Sequence, residues 1–399
     1  MFERIPAYAG DPILSLIEVF LKDERPNKVN LGVGLYYDEN GQIPLLESVR
    51  LAESARLTQL GPRSYLPMEG LGVYRQAMAE LLFGKEHPVM QENRVATIQT
   101  IGGSAALKIG ADFLKRYFPE SQIWISDPSW DNHRVVFEGA GLAVNEYPYY
   151  DPISNNVRIE ATLATLSELP AKSIVLFHPC CHNPTGVDFT REHWEKMIPI
   201  MVEKDLIAFM DMAYQGFADG LQEDAWPVRA MAQSGAACLV SSSFSKNLSF
   251  YGERCGGLSV VCRTVDESQS VLGQLKAGVR RIYSSPPTHG AAVVAEVLTN
   301  PQLRLLWEGE VAAMRQRIRA MRQKLYDVIQ PLVPDRDLSY FLTQRGMFSY
   351  TGLTANQVDL LKEKYAIYLI RSGRMCIAGL NLLNVDYVAN CFAKVMLEK

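Results

Sequence analysis

Compact apolar runs punctuate the middle of the chain. Runs such as Ile174-Val175-Leu176-Phe177 and Leu206-Ile207-Ala208-Phe209-Met210 do not alternate with polar residues. That pattern suits strands covered on both faces. It predicts strands at Arg94–Gln99, Gln122–Ser126, Leu142–Tyr147, Ser173–His178, Leu206–Asp211, Cys238–Ser243 and Gly257–Cys262. Segments such as Ala105–Tyr117 and Arg191–Lys204 lie between them and space their apolar residues at helical intervals. The alternation predicts an α/β domain with a seven-stranded, mostly parallel sheet between helices.

From about Pro301 the texture changes. A long helical pattern rich in Arg, Glu, Met and Leu runs from Leu303 to about Ile329, followed by short strand candidates at Met347–Tyr350, Ile367–Ile370 and Arg374–Ala378. These predict a second, smaller α+β domain.

Composition narrows the field. A formal net charge of −4 argues against a nucleic-acid partner, which would demand a Lys/Arg excess. No apolar run reaches the ~20 residues that span a bilayer, and the start, Met1-Phe2-Glu3-Arg4-Ile5-Pro6, lacks a secretory or transit pattern. Seven cysteines without a CxxC pair point to reduced thiols and a cytoplasmic enzyme.

Open α/β sheets bind ligands beyond the carboxyl ends of their strands, so the chemistry is sought there. After the first strand, Gly102-Gly103-Ser104 opens a helix whose free N–H groups suit a phosphate. After the second come Trp130, a flat face for a planar ring, and His133. After the fourth, Asn183-Pro184-Thr185-Gly186 fixes an amide at the sheet edge. The preceding His178, Cys180, Cys181 and His182 superficially resemble a metal tract. Adjacent cysteines are expected to point apart there, and no metal is expected. Asp211 ends the fifth strand, where a carboxylate needs a donor partner such as a pyridinium N–H, and Tyr214 follows it. After the sixth, Lys246 lies among Ser, Phe and Leu, where desolvation and a nearby cation would free its amine for imine chemistry. Ser243, Ser245 and Arg254 suit a phosphate dianion. Taken singly, each feature has an ordinary structural explanation. Together they suit one cofactor, pyridoxal 5′-phosphate, and few other ligands.

Asn183-Pro184-Thr185-Gly186, Asp211-x-x-Tyr214 and Ser243-x-Ser245-Lys246 with Arg254 resemble the fold-type I, class I aminotransferases. The likeness runs from Gly10-Asp11-Pro12-Ile13 to Gly373-Arg374-Met375-Cys376-Ile377-Ala378-Gly379. The stretches Tyr65–Gly70, Pro179–His182 and Gly346–Leu353 resemble the bacterial tyrosine (aromatic amino acid) branch of the aspartate/aromatic subgroup.

The resemblance implies an N-terminal arm at 1–11, a small domain at 12–40 and 313–399, and a large cofactor-binding domain at 41–312. It implies that Lys246 holds the cofactor as an imine and later shuttles a proton, and that Asp211, supported by His133, keeps the pyridine nitrogen protonated. Asn183 and Tyr214 would bond the phenolic oxygen, and Trp130 would stack on the ring. Gly103, Ser104, Ser243, Ser245 and Arg254 would hold the phosphate, joined by Tyr65 of the second subunit of a homodimer. Arg374 would clamp the substrate α-carboxylate, with Gly34 and Phe348 lining the pocket. Arg280, reaching in from the partner subunit, would pair with a distal carboxylate and swing out for an aromatic ring. Leu35, Tyr37, Ile43, Ser104 and Ser285 lean towards the aromatic branch, whereas Ser64 departs from the Leu expected there.

The implied activity moves the amino group of phenylalanine, tyrosine, aspartate or glutamate to 2-oxoglutarate or another 2-oxo acid. An aspartate aminotransferase with minor aromatic activity is the near alternative. A non-catalytic sensor of this fold is disfavoured: no DNA-binding segment is expected, and every residue that transamination needs is present.

Overall fold

The computed structural model describes residues 2–6, 10, 12–58, 61–62 and 64–398. The remaining positions of the implied N-terminal arm, 1, 7–9 and 11, lie outside the described residues. The chain divides into two compact units, one of residues 44–316 and one of residues 1–43 with 317–399.

The larger unit is built on the expected seven-stranded sheet. Its strands are β1 (Val95–Ile101), β2 (Ile123–Asp127), β3 (Val144–Pro148), β4 (Ile174–Phe177), β5 (Ile207–Met212), β6 (Ala237–Ser243) and β7 (Cys255–Val261). Each lies within about two residues of its predicted position, since end residues are decided by pairing rather than by apolar pattern. The order is β1-β7-β6-β5-β4-β2-β3. All pairs are parallel except those of β7, which runs antiparallel to both β1 and β6. The connection Phe244–Arg254 carries no crossover helix, and only an antiparallel partner can be reached by so short a return. Strand β7 therefore begins at the edge where β6 ends. This puts Arg254 beside Ser243 and Ser245.

Apolar residues of both faces are sealed. Ile98, Ile125, Leu176, Phe209, Leu239 and Leu258 of the sheet pack with Leu107, Ile109 and Leu114 of helix α1 (Gly102–Tyr117) in one buried cluster. Burying each such side chain contributes about 1.5–3 kcal/mol. Helix α2 (Arg191–Glu203) starts where Thr190 accepts from the His193 N–H and the His193 ring accepts in return from the Thr190 N–H. Helix α3 (Pro301–Ile329), the long helix expected from Leu303, contributes residues to both units.

In the smaller unit Val29–Asn30 pairs parallel with Ile367–Tyr368, and Phe348–Tyr350 pairs antiparallel with Arg374–Cys376. Helices Ala355–Tyr365 and Val385–Leu397 accompany them. Among the described residues no helix is long and apolar enough to cross a membrane.

Candidate active site

At the carboxyl ends of β1, β2, β4, β5 and β6 a cavity of about 250 Å³ opens within the larger unit. Ten expected residues line it: Gly103, Ser104, Trp130, Asn183, Asp211, Tyr214, Ser243, Ser245, Lys246 and Arg254. They come from five separate connections, and the sheet alone brings them together.

One corner is built for an anion. The Ser243 hydroxyl accepts from the Ser245 N–H at 3.2 Å and donates to Ser245 Oγ at 3.1 Å, while Arg254 Nη1 donates to Ser245 Oγ at 3.3 Å. The first turn of α1 borders the same corner with the N–H end of its dipole. Gly102, at φ +80°, makes the turn from β1 into α1, and a Cβ there would lie 2.4 Å from Arg254 Nη2. The sequence keeps this corner clear for a guanidinium and whatever it binds.

Opposite lies a carboxylate. Asp211 is 6% exposed and receives Ser241 Oγ on Oδ1 at 2.7 Å and His133 Nε2 on Oδ2 at 3.1 Å. A carboxylate only accepts, so Nε2 carries a proton, and Nδ1 lies within hydrogen-bond distance of Ser129 Oγ at 2.8 Å. Burial alone would raise the Asp211 pKa, but the His133 bond, the histidine fields and Ser241 outweigh it and hold the carboxyl below its ordinary range. Asp211 is thus a charged acceptor at the cavity wall. Its remaining lone pairs suit a cationic N–H.

Behind it, His178 packs its ring 5.1 Å from His133, and burial, with the field of His133, pushes its pKa down to about 3. His182, held by Ser126 at 2.9 Å and Thr185 at 2.8 Å, is likewise depressed by burial and stays neutral. Lys246 Nζ sits 5.6 Å from the Tyr214 ring centroid and 5.7 Å from that of Tyr251. Its loop is anchored from below by Trp307, whose Nε1 donates to the Asn247 carbonyl at 2.8 Å.

Other expected residues lie elsewhere. Tyr65 is 93% exposed, and Arg280 is exposed with Nη1 on Ser284 Oγ. Gly34, Phe348 and Arg374 belong to the smaller unit, where the Arg374 guanidinium lies 4.7 Å from the Phe348 ring centroid and Nη2 donates to the Gly32 carbonyl at 2.9 Å.

One expectation is corrected. Cys180 and Cys181 do not point apart: Cys181 adopts φ 54°, and both thiols lie within 4.8 Å of each other and of the Asp224 carboxylate. The left-handed turn swings the second thiol back to the side of the first. Asp224 is engaged by the N–H groups of Gly216, Ala218, Asp219 and Gly220, and the pKa of the Cys180 thiol, hydrogen-bonded to the Cys181 thiol and buried, is pushed well up. Two supporting residues escaped the sequence reading, Ser241 and Ser129. Ser241 stands directly opposite Asp211 in the β5–β6 register, so only the strand pairing could have found it.

The cavity fits pyridoxal phosphate on its own chemistry: an anion corner, a charged acceptor and an amine face one space. Residues 26–392 match the family model for aminotransferase class I and II. The chain is 58% identical to the aromatic-amino-acid aminotransferase of Escherichia coli over 397 residues, 99% of this chain and 100% of that protein. It is 50% identical to an aspartate aminotransferase of Pseudomonas aeruginosa, over 99% of this chain and 100% of the relative. A crystal structure of the aromatic-amino-acid aminotransferase of Burkholderia pseudomallei, covalently bound to pyridoxal phosphate, superposes with a TM-score of 0.97 at 48% identity, covering 99% of each chain. The expected fold-type I architecture and transaminase chemistry therefore hold, and the chain belongs to the class I and II aminotransferases.

Proposed function

We propose that this aminotransferase carries pyridoxal 5′-phosphate on Lys246 and moves the amino group of phenylalanine, tyrosine, aspartate and glutamate to 2-oxoglutarate or another 2-oxo acid. The observation that carries the reading is the convergence of Lys246, Asp211 and the Ser243–Ser245–Arg254 corner on one cavity. The bound cofactor would supply an aldehyde for the amine and a conjugated ring that accepts negative charge from the substrate Cα.

The protein groups have separable tasks. Lys246 would hold the cofactor through its amine and would move the proton at the substrate Cα. Asp211, kept anionic by Ser241 and His133, would hold a proton on the ring nitrogen. Asn183 and Tyr214 would hydrogen-bond the cofactor's phenolic oxygen, and Trp130 would stack on the ring. Gly103, Ser104, Ser243, Ser245 and Arg254 hold the phosphate. Arg374 receives the α-carboxylate in a bidentate fork, and Gly34 and Phe348 border the substrate side chain.

The working form proposed is a cytoplasmic homodimer with shared sites. The exposure of Tyr65 at 93% and of Arg280 supports service in a neighbour's site, since neither lines the cavity of its own chain. The proposed domains are the arm at 1–11, a small domain at 12–40 and 313–399, and a large domain at 41–312.

Borohydride reduction of the reconstituted enzyme, followed by peptide mapping, tests the anchor. The adduct is expected on Lys246, and an adduct elsewhere, or none, refutes the assignment. For the substrates, Arg280→Ala is expected to cut turnover of aspartate far more than that of phenylalanine. Equal loss would refute a distal-carboxylate role for Arg280. The kcat/KM ratio for phenylalanine over aspartate decides between this enzyme and an aspartate aminotransferase with minor aromatic activity.

A further inference from the structure

Arg322, on α3, is 2% exposed, and its guanidinium fans into one short segment of the smaller unit. Nη1 donates to the Ser349 hydroxyl and to the Phe341 carbonyl at 3.3 Å. Nη2 donates to the carbonyls of Phe348 at 2.7 Å, Gly346 at 2.8 Å and Arg345 at 3.4 Å. A planar fork with fixed N–H directions can serve so many acceptors at once; an ammonium with three donors cannot.

The segment it grips carries Phe348. Neighbouring residues of a strand face opposite sides, so Ser349 turns its hydroxyl to Arg322 while the Phe348 ring turns away. The strand is paired with Arg374–Cys376, Phe348 opposite Cys376 and Tyr350 opposite Arg374. On its far side the ring meets the Arg374 guanidinium, and a Cβ on residue 34 would come within 2.8 Å of Phe348 Cζ. Position 34 is glycine because the ring occupies that space. The ring is therefore confined on one side, and its backbone is clamped on the other by Arg322.

We propose that Arg322 is a positioning residue that sets the place of Phe348 and, through it, the balance between aromatic and acidic substrates. The inference rests on the substrate reading above. Arg374 would serve the α-carboxylate of every donor, so a disturbance passing through it lowers all donors alike. A disturbance passing through the Phe348 ring falls on donors that pack an apolar side chain against it. Loss of one such aromatic contact corresponds to about a three- to tenfold change.

The test compares Arg322→Lys, Phe348→Leu and the double variant, reading kcat/KM for phenylalanine and aspartate on the intact enzyme. Arg322→Lys is expected to lower the phenylalanine-to-aspartate ratio about three- to tenfold alone, and by less than about twofold when Phe348→Leu is already present. Equal losses for both donors, or a ratio change that persists undiminished without the ring, overturn the proposal. Should Arg322→Lys fail to fold, Ser349→Ala, which removes one acceptor and keeps the guanidinium, takes its place in the same cycle. An unchanged ratio there is equally fatal. If the wild-type enzyme transfers no amine from phenylalanine, the substrate reading fails first and this inference goes with it.

Discussion

Replacing Ser241 by alanine removes one hydroxyl from a fully buried position and nothing else from the site. That hydroxyl donates to Asp211 Oδ1 at 2.7 Å, across the register of two parallel strands, and Ser241 is 0% exposed. A hydrogen bond to a charged group contributes about 1.5–3 kcal/mol, and no water is expected to replace it in so closed a place. If the whole loss reaches the anion, Ser241→Ala lowers stability near neutral pH by about 1.5–3 kcal/mol. If it also reaches the reaction through a less anionic Asp211, kcat/KM falls by about 10- to 150-fold. The folded-state carboxyl lies below its ordinary range. Its contribution is therefore present above that range and lost as pH falls through the folded-state value, so the deficit shrinks in acid. Urea unfolding at several pH values, with steady-state kinetics for one donor, reads both effects. Asp211→Asn supplies the control, because in that background the Ser241 substitution is expected to cost much less. A stability change under about 0.5 kcal/mol with kcat/KM within about twofold of wild type would refute the claim that Ser241 sustains the charge on Asp211.

Three further outcomes follow from the geometry. Gly102→Ala places a Cβ at φ +80° and 2.4 Å from Arg254 Nη2, so pyridoxal phosphate is expected to bind about tenfold or more weakly by titration; unchanged affinity would show that the anion corner tolerates displacement of Arg254. His178, at about 3 against an ordinary 6.5, stays neutral while the unfolded chain takes up a proton. Stability is therefore expected to fall as pH drops from about 6.5 towards 3, by up to about 1.4 kcal/mol per pH unit from this residue. His178→Gln should flatten that slope in urea unfolding; an identical slope would exclude His178 as its source. Arg374→Lys exchanges a fork for a point charge, and kcat/KM is expected to fall by about 10- to 100-fold for aromatic and acidic donors alike; selective loss of one donor class would contradict an α-carboxylate role.

Much of the site was legible because its residues sit where strands end. Lys246, Asp211, Asn183 and Gly103 follow apolar runs, and the fold turns each run's end towards one edge of the sheet. The supporting residues were not legible in the same way. Ser241 is one serine in a run of three, and nothing local distinguishes it from Ser242, which faces Met78 Sδ at 3.1 Å instead. Cys180 and Cys181 were misjudged because neighbours in extended chain diverge, whereas Cys181 leaves the extended region altogether. Arg322 is one of several arginines on α3, and helical spacing does not tell that it is buried among carbonyls while its neighbour Arg319 is exposed.

By itself, the sequence determined what short-range pattern can encode: continuous apolar strands, amphipathic helices, the glycine turn into α1 and the reactive groups placed after them. The tertiary structure alone decided which strand lies beside which, and so which hydroxyl meets which carboxylate and which guanidinium grips which strand. The physical reason is range. Periodicity and turn chemistry act over a few neighbouring residues, while the bond from Ser241 to Asp211 and the grip of Arg322 on Phe348 join residues that meet only after the chain has folded.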